Sequence, residues 1–165
     1  QARRVGVARA LALKPRLIIA DEPPAGLEVS VQGEILNLMA DLQDQLKISY
    51  LIISHNLPVV RHVSDKIAIM YLGRFVEQGN AKAIFNQPAH PYTKALLEGI
   101  PQPDPDKRRE IVSIEGEVPS LADRPTGCEF HTRCSYAQSQ CKQEQPTLQK
   151  LGSNQSVRCH FPLNR

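Results

Sequence analysis

The first hundred residues read as an α/β layered sheet, and three observations point that way. Leu17-Ile18-Ile19-Ala20 and Leu51-Ile52-Ile53 are short continuous apolar runs, the pattern of strands covered on both faces. A helical apolar periodicity, with Ile35, Leu38, Met39, Leu42 and Leu46 on one side, lies between them. Each apolar run ends in a polar pair, Asp21-Glu22 and Ser54-His55, at the strand end where open α/β sheets bind ligands.

Taken in order, residues 2–13 read as a helix with Val5, Ala8 and Ala12 on one face. The first strand is expected over 17–20, the long helix over 30–46 and the second strand over Ser49–Ile53. A helix follows at Leu57–Val63. Residues 66–72 and 74–78 alternate around Gly73, as the arms of a hairpin do. Helices at Ala81–Asn86 and from Pro91 to about Glu98 close this part. The Pro-Gln-Pro-Asp-Pro-Asp stretch at 101–106 can neither continue a helix nor enter a central strand, because proline lacks the amide donor and restricts its predecessor. A boundary is therefore expected between residues 1–100 and a loop-rich segment, 101–165, that holds all four cysteines.

Composition removes two classes of function. Twenty basic against seventeen acidic residues give a net charge of +3 with no basic block, so nucleic acid is not expected as the main partner. The longest apolar run is the six residues 67–72, far short of the ~20 needed to cross a bilayer. The sequence opens on Gln1 without an initiator Met or a signal peptide, and is expected to be a piece of a longer chain.

The two strand tips carry the chemistry. An acid at a strand tip suits Mg²⁺ held through water beside phosphate oxygens, and a second acid suits orientation and deprotonation of an attacking water. Asp21 and Glu22 are adjacent, so their side chains point apart and need not share a role. The plainer alternative is a strand end that turns at Pro23. If the two strands are parallel, His55 stands beside the two acids and can hydrogen-bond a phosphate or the water; its plainer role is to cap the next helix.

In this order, Gln1-Ala2-Arg3-Arg4-Val5-Gly6-Val7-Ala8-Arg9-Ala10-Leu11, then LIIADEP, then LIISHN resemble the second half of an ABC-transporter ATPase. The resemblance implies a fold: the C-terminal half of a P-loop NTPase domain followed by a small Cys-containing segment. It also implies roles. Gln1 falls on the last residue of the LSGGQ signature, Asp21 on the Walker B aspartate, Glu22 on the catalytic glutamate and His55 on the switch histidine. Ala25-Gly26-Leu27-Glu28 falls on the D-loop, usually SALD, where Glu28 is one methylene longer than the usual Asp and contacts the opposing ATPase subunit. No glycine here is followed by lysine, so the phosphate-cradling GxxxxGK[ST] loop is expected upstream.

His90-Pro91-Tyr92-Thr93 resembles the HPYT segment of subunits that energise oligopeptide and dipeptide uptake, and is read as a docking helix that packs rather than reacts. The cysteines, Cys128, Cys134, Cys141 and Cys159, are separated by five, six and seventeen residues, with no CxxC. Disulfides, scattered free thiols and a four-thiolate metal site all remain open from spacing alone. The tail form GCxFxxRCxxAxxxC, followed later by a Cys, resembles that of the same family. It implies an iron–sulfur cluster of 4Fe–4S type on all four cysteines, with Zn²⁺ as the alternative ligand. His131 and His160 lie near the cysteines and are expected outside the ligand set.

The expected function is a peptide importer's ATP-hydrolysing subunit, lacking its Walker A loop, that uses ATP and Mg²⁺. The resemblance implies a second ABC ATPase subunit, two membrane permease subunits and, indirectly, an extracytoplasmic substrate-binding protein. It places the subunit peripherally on the cytoplasmic face of the membrane. The alternatives are a regulatory or redox-sensing metal tail on an ATPase scaffold, and an inactive truncated fragment.

Overall fold

The computed structural model describes residues 2–23, 26, 28–101 and 114–164, except the side chains of residues 2–4 and 29. They form two units, Gln1–Val63 and Ser64–Arg165. The division falls between Val63 and Ser64 rather than at the expected 100/101. The reason is that a strand of the tail joins the sheet begun by residues 66–80. The Pro-rich stretch that suggested the later boundary falls almost wholly outside the described residues.

The first unit runs α1 (Ala2–Leu11), β1 (Leu17–Asp21), α2 (Val29–Leu46), β2 (Ser49–Ile53) and α3 (Leu57–Val63). β1 and β2 are parallel, with Leu17 opposite Ser49 and Asp21 opposite Ile53. Parallel neighbours need a crossover, and the eighteen-residue α2 supplies it. Its apolar stripe buries Ile35, Leu36 and Met39, and it stops at Lys47 in the left-handed conformation. Strand burial departs from the expectation. Ile18, Ala20, Tyr50 and Ile52 are half-buried, whereas Leu17, Ile19, Leu51 and Ile53 are 53%, 63%, 52% and 52% exposed. Period-two alternation puts these four on one face. The apolar runs therefore form strands, but among the described residues of this unit only one face of the pair is covered. In α1, Val5 and Ala8 are likewise exposed.

The second unit begins with a hairpin of β3 (Lys66–Tyr71) and β4 (Arg74–Asn80). Both residues of its turn, Leu72 at φ 45° and Gly73 at φ 76°, are left-handed, as a two-residue type I′ connection requires. β3 alternates cleanly, with Ile67, Ile69 and Tyr71 buried and Lys66, Ala68 and Met70 exposed. α4 (Ala81–Asn86) is capped by Asn80, whose side chain accepts from the Ala83 N–H. α5 (Pro91–Glu98) is capped by His90, whose Nδ1 accepts from the Tyr92 N–H, with Pro91 in the first turn. After a 3₁₀ turn at His131–Arg133 and α6 (Ser139–Gln143), β5 (Gln149–Leu151) and β6 (Gln155–Val157) complete an antiparallel sheet of order β3-β4-β6-β5.

Glu77 ties this unit together. It is fully buried on β4 and accepts from the backbone N–H of Ala89 (2.8 Å) and His90 (2.9 Å) and from the Gln155 amide. One side chain thereby joins the hairpin, the start of α5 and the tail strand. The tail returns again where the Leu163 N–H donates to Ala89 O (2.9 Å) and the Asn164 amide to Pro88 O (2.8 Å).

Candidate functional site

In the first unit the site is built at the tips of β1 and β2. Because the strands are parallel and in register, both polar pairs emerge at one edge. The ladder continues one residue further, as the Glu22 N–H donates to Ile53 O (2.8 Å). Glu22 itself has φ 45°, a left-handed backbone that side chains other than glycine seldom adopt. Such strain persists where surrounding contacts hold it, and here the carboxylate meets the tip of β2. Oε1 accepts from His55 Nδ1 at 2.6 Å and from the His55 backbone N–H at 3.0 Å. Oε2 accepts from the Ser54 hydroxyl at 3.3 Å. The hydrogen bond from the His55 ring, chief among these contacts, holds the Glu22 carboxyl below its usual range. Glu22 is thus ionised near neutral pH and well suited to accept a proton.

Asp21 ends β1 on the exposed side, next to this pair. Glu28 is exposed at the N-cap of α2 without a side-chain capping bond. Gln1 lies outside the described residues, as do Ala25 and Leu27 of the D-loop segment. The structure thus brings Glu22 and His55 together, sets Asp21 beside them, and gives Glu28 no described role. Sequence reasoning missed Ser54, although its place in the polar pair at the strand tip was the available signal.

In the second unit, Cys128, Cys134, Cys141 and Cys159 all line one pocket with His90, His131, Tyr136, His160 and Phe161. Local turns gather them. The Cys128 N–H donates to Cys141 O (2.8 Å), the His131 N–H to Cys128 O (2.9 Å) and the Ala137 N–H to Cys134 O (3.1 Å). Gly127, at φ 66°, permits the first of these approaches, since a Cβ there would lie 2.4 Å from Cys141 O. Phe130 forms the floor, packed against Tyr71, Tyr92 and His90 at ring separations of 5.2, 5.3 and 5.7 Å. Beside it the half-exposed Arg74 and Arg124 both donate to the buried Glu129 (3.0 and 2.8 Å).

None of the four cysteines forms a disulfide. Burial, reinforced by the neighbouring cysteines, pushes the thiol of Cys134 up to about 11 and that of Cys159 up to about 12, and raises that of Cys128. These three are therefore neutral near pH 7. Among the described residues, no group of three or more His, Cys, Asp or Glu side chains is arranged to hold a metal ion. The four cysteines predicted as one centre share a pocket, without an assembled ligand set among the described residues. His131 and His160 stand on the pocket wall, each bonded through one ring nitrogen to a backbone carbonyl, of Cys128 and of Glu144 (both 2.9 Å).

Residues 76–141 match the family model described as "Oligopeptide/dipeptide transporter, C-terminal region". Over 160 residues the chain is 51% identical to the "Probable peptide ABC transporter ATP-binding protein y4tS" of Sinorhizobium fredii, covering 97% of this chain and 45% of the relative. It is 49% identical to the dipeptide transport ATP-binding protein DppF of Escherichia coli, covering 96% and 47%. It is 45% identical to the oligopeptide transport ATP-binding protein AppF of Bacillus subtilis, covering 98% and 50%. The chain spans about half the length of the curated relatives it matches. Among solved structures it resembles cbiO1 of Clostridium perfringens, part of the ABC transporter complex cbiONQ, at a TM-score of 0.48 and 36% identity over 50% of this chain and 33% of that one. With an identity near one half maintained along nearly its whole length, the chain is similar, over about half of their length, to the ATP-binding proteins of oligopeptide and dipeptide ABC transporters, and its residues 76–141 match their C-terminal region.

Proposed function

We propose that this chain is the hydrolytic part of an ATP-binding subunit that powers peptide import. The observation that carries this reading is the Glu22–His55 pair, a carboxylate and an imidazole 2.6 Å apart at the tips of two parallel strands. Glu22 accepts the proton of the attacking water. The His55 ring, 84% exposed and bonded to Glu22 through Nδ1, can turn that N–H to a phosphate oxygen or to the water itself. Mg²⁺, when bound, neutralises charge on the phosphate oxygens, and Asp21 at the strand tip is the residue of this chain suited to hold it through water. Gln1 and Glu28 are proposed to face a nucleotide and an opposing ATPase subunit across the dimer. Relatives named for dipeptide and oligopeptide transport support a peptide as the transported solute. The proposed partners are a second ATPase subunit, two membrane permeases and, through them, an extracytoplasmic binding protein. The proposed location is the cytoplasmic face of the membrane. No described helix is long and apolar enough to cross a membrane.

The test is made in the complete subunit. Glu22→Gln keeps the shape of the side chain and removes the base, so turnover should fall about 10²–10⁴-fold with ATP binding intact. Wild-type turnover in that variant would remove Glu22 from the mechanism.

A second reading concerns the thiol pocket, and its support is that all four cysteines line it. Cys128, Cys134, Cys141 and Cys159 are proposed as ligands of a metal centre, an iron–sulfur cluster or else a zinc ion, whose charge would favour the thiolate form. Such a centre would cross-link a tail that has few apolar residues. Anaerobic reconstitution with iron and sulfide should give brown protein containing acid-labile sulfide, and any Cys→Ser change should lower the metal content. One tightly held zinc in colourless protein would select the structural ion. Reconstituted protein that holds no metal would end this reading.

A further inference from the structure

We propose that Ser54 is a positioning residue for hydrolysis, one jaw of a clamp that keeps the Glu22 carboxylate aimed when the His55 ring is engaged elsewhere. The inference rests on Glu22 acting as the base.

Among the described contacts, three donors reach that carboxylate from the two residues that follow β2. They differ in what they must do during a turnover. The imidazole is the mobile donor, on a side chain 84% exposed, and it is the one proposed to meet phosphate or water. The other two are fixed. The His55 N–H, part of the main chain, holds Oε1 at 3.0 Å. The half-buried Ser54 hydroxyl holds Oε2 at 3.3 Å. Together they hold the carboxylate by both oxygens and fix its plane, which one hydrogen bond cannot do.

The hydroxyl is also oriented for this task. Its oxygen accepts from the Asn56 N–H at 3.1 Å, which directs the Ser54 proton outward toward Glu22. At 3.3 Å the contact is longer than a strong O–H···O bond, as catalytic contacts often are before the substrate arrives. The left-handed backbone of Glu22 adds a reason for a clamp. A strained residue relaxes unless its side chain is held, and loss of the ring contact removes the shortest of its three bonds.

The experiment uses the complete subunit with Mg-ATP. Ser54→Ala should lower kcat about 3- to 30-fold while KM for ATP stays within about twofold, since a lost donor to a charged group weakens the transition state more than ground-state binding. Ser54→Thr keeps the hydroxyl and should restore turnover. In a His55→Ala background the Ser54→Ala change should cost more than it does alone, because no ring then backs up the clamp. Asn56→Ala removes the adjacent cap on the Val59 N–H without touching Glu22, and reports the cost of loosening the turn. A Ser54→Ala kcat within twofold of wild type, a loss that Thr does not restore, or an equal loss in Asn56→Ala would overturn the inference. Failure of the base itself reads out separately, as wild-type turnover in Glu22→Gln.

Discussion

At the residue scale, two side chains do opposite things with a buried or strained position. Glu22 accepts an unfavourable backbone and gains three donors at the strand tips. His90 is 1% exposed, and burial pushes its imidazole down to about 4. It therefore enters the fold neutral, with Nδ1 accepting the Tyr92 N–H and its ring on Phe130. Between pH 6.5 and about 4 the unfolded chain binds a proton here that the folded chain does not, so stability falls as pH falls through that window. The loss amounts to about 3 kcal/mol by pH 4. His90→Asn keeps an acceptor for the Tyr92 N–H and removes the titration. Denaturant midpoints measured from pH 7 to 4.5 should show a shallower slope for this variant than for wild type. Equal slopes would take the acid sensitivity away from His90. The HPYT histidine is thus a buried cap on the helix that was read as packing rather than reacting.

At the scale of elements, the local signals were legible and the long-range pairings were not. The Gly73 turn, the β3 alternation, α2 and the Pro91 helix start all follow from period, punctuation and caps within a few residues. β5 and β6 went unread because three residues each, two polar and one apolar, are too few to show a period. They form because β4 offers an edge, with Glu77 opposite Val157 and Gly79 opposite Gln155. The pocket loop has the same character. Gly127 adopts φ 66° so that Cys128 can hydrogen-bond Cys141. Gly127→Ala should cost at least about 1–2 kcal/mol for the left-handed backbone alone. The overlap with Cys141 O adds to it. Thermal unfolding should shift down by roughly 4–8 °C per kcal/mol, and thiol labelling of Cys128 and Cys141 should quicken. An unchanged midpoint with unchanged labelling would show that the loop finds another route.

At the scale of the whole molecule, the described residues divide into an α/β unit bearing the Glu22–His55 pair and a mixed unit bearing the thiol pocket. The α/β unit leaves Leu17, Ile19, Leu51 and Ile53 exposed on one sheet face, although their composition is that of strands covered on both sides. The relatives are about twice as long, which fits a face made for more chain than is present here. The sequence by itself determined the fold class, the order of the first nine elements and the identity of Asp21, Glu22 and His55 as the residues to watch. Those follow from patterns within one element or at its end. Only the tertiary structure decided that Ser54 joins His55 on Glu22, that Glu77 binds hairpin, helix start and tail, and that the four cysteines share one pocket without forming a ligand set. Each of these depends on chain segments far apart in sequence meeting at a specific register. Period and composition do not encode register between distant segments; packing and hydrogen bonding in the folded chain select it.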